Sequence, residues 1–161
     1  MKKWPLLALL ASTGCLAQPV EQLCHKVGTP EGIVCDVSIE QLQAHPGYFD
    51  GKWVVVPGVL ATQFRPLLFG STESFQHSIV ANAVFLDVTD DRIRKRINAL
   101  DHRWVQVTGK FSKKGLALLD YGVGATSGQI VSIQFVDPTA GPWGVVEKMP
   151  PRHGERPASR P

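Results

Sequence analysis

The sequence predicts a mainly β domain: a five-stranded barrel with one helix ahead of the first strand and another between the third and fourth. Three observations carry that prediction. A Trp-Val-x-Val-x-Gly pattern at Trp53–Gly58 recurs at Trp104–Gly109. Three further runs rich in β-branched and aromatic residues lie between and after the two copies. One amphipathic segment interrupts them, with Ile93, Ile97 and Leu100 at helical spacing. The 161 residues suffice for one such domain and are too few for two full-sized ones. With 43% hydrophobic and 19% charged residues, wholesale disorder is excluded.

In chain order, the first element is an address. Lys2 and Lys3 precede an apolar run, Trp4–Ala11, far shorter than the ~20 residues a membrane helix needs. It reads as the core of a signal peptide. Ser12-Thr13-Gly14-Cys15 resembles a bacterial lipobox, in which Cys15 becomes the lipidated first residue and 1–14 is removed. The alternative is ordinary cleavage after Ala17, with a signal of 1–17. Both export the chain across a bacterial inner membrane, and the lipobox anchors it to a membrane of the cell envelope through Cys15. The formal charge is +3, from 17 Lys+Arg against 14 Asp+Glu, and removal of Lys2 and Lys3 leaves +1. A chain so close to neutral argues against a dedicated nucleic-acid binder.

Residues 15–37 form a tether and a bridged segment. Once Cys15 is lipidated or discarded, Cys24 and Cys35 remain, and an oxidising compartment pairs them. A metal site using Cys24, His25 and Cys35 would lack both the C-x-x-C spacing and a fourth ligand, so no metal or other cofactor is expected.

The barrel is expected over 38–136. Ser38 and Gln41 form a capping box for a short helix, which must stop near His45 because Pro46 disfavours helical geometry before it. Pro46-Gly47 and Asp50-Gly51 are turn dipeptides. Lys52–Leu60 is the first strand, with Pro57 at a bulge or facing an edge because it cannot donate to a ladder. Pro66–Gly70 is a brief second strand, and Ser71–His77 a polar or helical turn. Asn82–Val88 is the third strand. Thr89-Asp90-Asp91 then opens the second helix with capping side chains at its positive end. In the fourth strand Val105, Val107 and Phe111 alternate with Gln106, Thr108 and Lys110, which sets the inner face. By analogy Val54, Val56 and Leu60 point inward, and Trp53 and Trp104 share the other face. Strand order puts the two Trp strands side by side and antiparallel, closing the barrel. A Gly-rich excursion, Ser112–Ser127, leads to the last strand at Gly128–Phe135. Residues 137–161 hold six of the twelve prolines and read as a disordered tail.

Five strands with a helix between the third and fourth is the OB-fold order. The chain resembles the small OB-fold domains of exported bacterial proteins, most of them without assigned function. The shared residues are Gly51-Lys52, Val54, Val56 and Gly58, then Ala83-Val84, Leu86 and Asp87. They continue with Trp104-Val105, Val107, Gly109 and Phe111, and end with Ser127-Gly128, Ile130 and Ile133. The resemblance implies architecture and brings no catalytic motif.

The search for chemistry points the same way. His25, His45, His77, His102 and His153 are scattered, with no zinc-type spacing, nucleophile elbow, P-loop or dinucleotide fingerprint. Ser71, His77 and Asp87 assemble into a triad only on paper. Arg92, Arg94, Lys95 and Arg96 are offset by Asp87, Asp90, Asp91 and Asp101, so this helix reads as a solvated face. OB-folds bind ligands on strands 2 and 3, flanked by the 1–2 and 4–5 loops. Here those loops supply Phe64 and Arg65, and Lys113, Lys114 and Tyr121, as a candidate ligand site. The expectation is a non-enzymatic envelope lipoprotein, a binding or adaptor module for an envelope protein or a cell-wall glycan. The alternative is an exported module that binds single-stranded nucleic acid.

Overall fold

A computed structural model describes residues 20–26, 32–114 and 126–141. A 3-10 turn at Val20–Leu23 leads into β1 (Cys24–Lys26), which pairs antiparallel with β2 (Ile33–Asp36). Cys24 and Cys35 stand directly opposite each other in that pair and are joined as a disulfide. The bridged segment is therefore a hairpin arm of the sheet rather than a plain tether. β2 continues through α1 (Ile39–Ala44) and α2 (Pro46–Phe49) into β3 (Trp53–Ala61), and runs parallel to it with Cys35 beside Val54.

The helices form where the local chemistry dictates. The Gln41 backbone N–H donates to Ser38 Oγ at 3.3 Å, and the Ser38 N–H donates to Gln41 Oε1 at 2.8 Å, so the capping box is complete. α1 ends at His45, and Pro46 starts α2 at its first position, where a missing N–H costs nothing. The expected Pro46-Gly47 turn is thus one turn of helix, and it drives Phe49 fully into the core.

After β3 come β4 (Leu67–Phe69), α3 (Thr72–Gln76), a 3-10 turn at Val80–Asn82 and β5 (Ala83–Leu86). α4 (Asp91–Ala99), β6 (Trp104–Ser112) and β7 (Gln129–Pro138) complete the described chain. The barrel runs β3-β4-β5-β7-β6 and closes by antiparallel pairing of β3 with β6; only the β5–β7 neighbours within it are parallel. This is the OB-fold-like barrel that the sequence predicts. Val56 faces Val107 across the closing pair, and both are fully buried.

Alternation sorts the strands into two cores. Val54, Val56, Leu60, Leu68, Val84, Leu86, Val105, Val107, Phe111 and Ile130 fill the barrel. Burial of each large apolar side chain stabilises by roughly 1.5–3 kcal/mol. Ile39, Leu42 and Phe49 join this core from α1 and α2, and Ile97 and Leu100 join it from α4 and its C-cap. On the outer surface Val59, Ala61, Leu67, Phe69, Ala83, Phe85 and Trp104 make a second cluster beneath Phe75 and Val80. Trp53 and Trp104 share the outer face but lie at opposite ends of the β3–β6 pair, and only Trp104 is covered.

Two irregularities have local causes. Backbone groups of odd-numbered β3 residues face β2 and β4, as the Val37 N–H bond to Val55 O shows. Pro57 lies between the last β2 partner and the first β4 partner, so its absent N–H falls in the gap. In β7, Val131 pairs with Lys110 and Phe135 with Thr108, so residues 132–134 bulge opposite Gly109. A Cβ on Gly109 would stand 2.5 Å from Ile130 Cγ2 and 3.0 Å from the Val131 carbonyl, so only glycine fits.

β7 also runs past the expected end of the barrel. Pro138 pairs with Val105, and the Thr139 N–H donates to the Trp104 carbonyl at 3.1 Å. The first residues of the expected tail therefore belong to the sheet.

Candidate functional site

The face on which OB-folds hold their ligands is filled here by the chain itself. Every residue of β4 and β5 is buried, because α3 lies over their outer side. Phe75 meets the Phe69 ring edge-on at 5.9 Å and the His102 ring at 5.1 Å. Ser71 caps α3, its Oγ accepting from the Ser74 N–H at 3.1 Å. The hydroxyl placed in a paper triad therefore works as a helix cap.

Among the described residues, the candidate loop residues do not come together. β3 and β6 are antiparallel, so the loop after β3 and the loop after β6 leave from opposite ends of the pair. Nine residues of strand separate those ends by a contour of about 26 Å. Phe64 is exposed, and Arg65 sits 6.0 Å from the Phe85 ring at one end. Lys113 and Lys114 are at the other. Tyr121 lies outside the described residues, as do Cys15, the signal segment and 142–161.

Lys113 is engaged in structure. Its backbone N–H donates to Asp50 Oδ1 at 3.0 Å, and its Nζ is 3.4 Å from Asp50 Oδ2. The backbone donor, with the ammonium beside it, holds the Asp50 carboxyl below its usual range. The three α4 arginines are likewise paired: Arg92 with Asp90 at 3.1 Å, Arg94 with Asp91 at 3.1 Å and Arg96 with Asp137 at 3.3 Å. Such exposed pairs contribute little. Asp90 also caps α4, accepting from the Arg92 N–H at 2.7 Å.

At the Lys113 end, the bridged arm stands beside the barrel and leaves a cleft of about 490 Å³. Its floor and walls include Cys24, Tyr48, Lys52 and Trp53, with Glu21 and Lys26 at the rim. Several elements converge to build it. The 3-10 turn and β1 supply one wall, held in place by the disulfide. α2 presents Tyr48, braced edge-on against buried Phe49 at 5.0 Å. Trp53 opens β3 and Lys52 immediately precedes it, with Lys52 Nζ 3.2 Å from the centre of the Tyr48 ring. Trp53 is half-buried, and its indole N–H has no hydrogen-bond partner among the described residues. His25, also in the lining, turns toward Asp36 with Nδ1 3.5 Å from Oδ2.

The sequence reading missed this cleft. Its wall is made by β1 and β2, two strands too short for a periodicity to show. The available signal was Ile33-Val34-Cys35 flanked by a second cysteine, together with Tyr48 and Lys52 four residues apart before an outward-facing Trp.

Fold and cleft together define a class: an OB-fold-like barrel with a disulfide-bridged arm, whose usual ligand face is covered. Compared with protein families, curated proteins and solved structures, the chain matches none.

Proposed function

We propose that the protein is a non-enzymatic lipoprotein of the bacterial envelope, a barrel that binds or adapts rather than catalyses. Its partner is an envelope protein or a cell-wall glycan, and Cys15 anchors it to the membrane. The observation that carries this reading is the Cys24–Cys35 cystine. Cystines persist where proteins are exported, and this one follows an n-region, an apolar run and Thr13-Gly14-Cys15. Binding fits the distribution of groups. The cleft gathers aromatic and charged side chains at the end of the barrel that carries the arm.

Labelled fatty acid and envelope fractionation test the reading. Label should enter the wild type and not Cys15→Ser, and the wild type should fractionate with membranes. Unlabelled protein whose mature chain begins at Gln18 would refute the anchor. If the anchor holds, only Leu16–Leu23 separate it from the bridged arm, a reach of at most ~29 Å.

A further inference from the structure

We infer that the cleft between the bridged arm and β3 is a binding site for a glycan that carries a carboxylate. This deepens the envelope reading by naming the ligand chemistry, and it rests on that reading for the source of the glycan.

The argument starts from what each lining group leaves unused. Trp53 offers a half-buried indole surface and a free Nε1–H donor among the described residues. An indole in this state gains from a ligand with an apolar face and a polar edge, which is the construction of a pyranose ring. Glu21 and Lys26 have no ion-pair or hydrogen-bond partner among the described residues, so one acceptor and one cation remain for hydroxyl and carboxylate groups. Lys52 adds a second cation, already positioned over the Tyr48 ring. Two lysines against one glutamate leave a positive balance, which favours an anionic sugar over a neutral one. The volume of about 490 Å³ lies within the range of small-molecule sites.

A membrane headgroup is the competing occupant, since the arm leads back toward Cys15. Geometry favours the sugar. The aromatic groups line a recess instead of protruding, and Tyr48 is braced against the core rather than aimed outward.

The test uses the mature full-length protein labelled with ¹⁵N, and two disaccharide probes. One is N-acetylglucosaminyl-N-acetylmuramic acid, which carries a carboxylate; the other is neutral chitobiose. Trp53→Phe assigns the Trp53 indole resonance. The expected result is that the acidic disaccharide shifts this resonance and binds about tenfold more tightly than chitobiose. Lys26→Ala, an exposed change that spares the fold, should erase that preference, and Trp53→Ala should abolish binding while thermal melts stay cooperative. Three results would overturn the inference: no binding of the acidic disaccharide, binding that survives Trp53→Ala, or equal binding of the two sugars. Phosphatidylcholine–phosphatidylglycerol vesicles form a parallel arm. Vesicle binding lost in Trp53→Ala, with no sugar bound, would assign the cleft to the membrane. Fatty-acid labelling at Cys15 is independent of all these outcomes, so the site can fail while the envelope reading stands.

Discussion

Replacing both bridged cysteines, Cys24→Ala with Cys35→Ala, perturbs the one covalent feature that shapes the cleft. The bridge spans a separation of 11 residues. In the chain-entropy treatment a loop of that length stabilises the folded state by about 3 kcal/mol or slightly less. Cys35 is fully buried against Val54 and Val37, so loss of its sulfur adds a packing term on the order of 1 kcal/mol. The loss should not be even along the chain. β2 keeps its ladder to β3 and the Val37 N–H bond to Val55 O, whereas β1 pairs only with β2 among the described strands. Urea unfolding followed by circular dichroism should therefore show a global loss of about 3–4 kcal/mol. Amide exchange should show 24–26 deprotected well before 33–36. A global loss below about 1 kcal/mol together with unchanged protection of β1 would refute the reasoning. The arm would then be held by its strand contacts and not by the cystine.

Three further outcomes follow from single side chains. Gly58→Ala would put a Cβ 2.6 Å from the Phe69 carbonyl and 2.7 Å from Leu68 Cγ, and should cost about 1–3 kcal/mol in a thermal melt by prising β3 from β4. Ser38→Ala removes the acceptor of the Gln41 N–H and should cost about 1 kcal/mol, with Gln41→Ala adding little on top because the box is one unit. Asp50→Asn should destabilise at neutral pH and progressively less in acid. The native carboxyl titrates below its usual value, so its contribution is present above that value and is lost as pH falls through the lowered one. Melting curves of the two proteins should converge as pH falls below the usual carboxylate range, and a constant gap would refute the assignment to Lys113.

The barrel was legible because its signals are long and redundant. Val105, Val107 and Phe111 alternate over seven residues, and all three prove buried. The same spacing around Val54 and Val56 predicted the partner strand, and the register places those residues in the same core. Ser38 and Asp90 both cap the helices they were expected to cap. What stayed hidden is short or non-local. β1 has three residues and β2 four, below the length at which period two separates from chance. Their pairing depends on a cross-link and on a parallel crossover through α1 and α2, neither of which leaves a local pattern.

The described residues of the expected ligand site lie apart for a reason already contained in the expected topology. If the two Trp strands are antiparallel neighbours, the loop after the first and the loop after the second must depart from opposite ends. Phe64 and Arg65 then cannot share a pocket floor with Lys113 and Lys114 unless the intervening face of β4 and β5 is open to join them. That face is closed by Phe75, a single apolar residue in a segment that otherwise reads as polar turn: Ser71-Thr72-Glu73-Ser74 before it, Gln76-His77 after. That buried ring, meeting Phe69 and His102, makes the face a second core together with Val80. Half-buried aromatic surface is then found where none of the described residues folds back over the sheet, at the entry of β3, and the bridged arm gives that place its wall. Trp53 and Trp104 begin equivalent strands with the same outward phase. Trp104 packs beneath the chain in the second core, and Trp53 stays half-buried in the wall of the cleft.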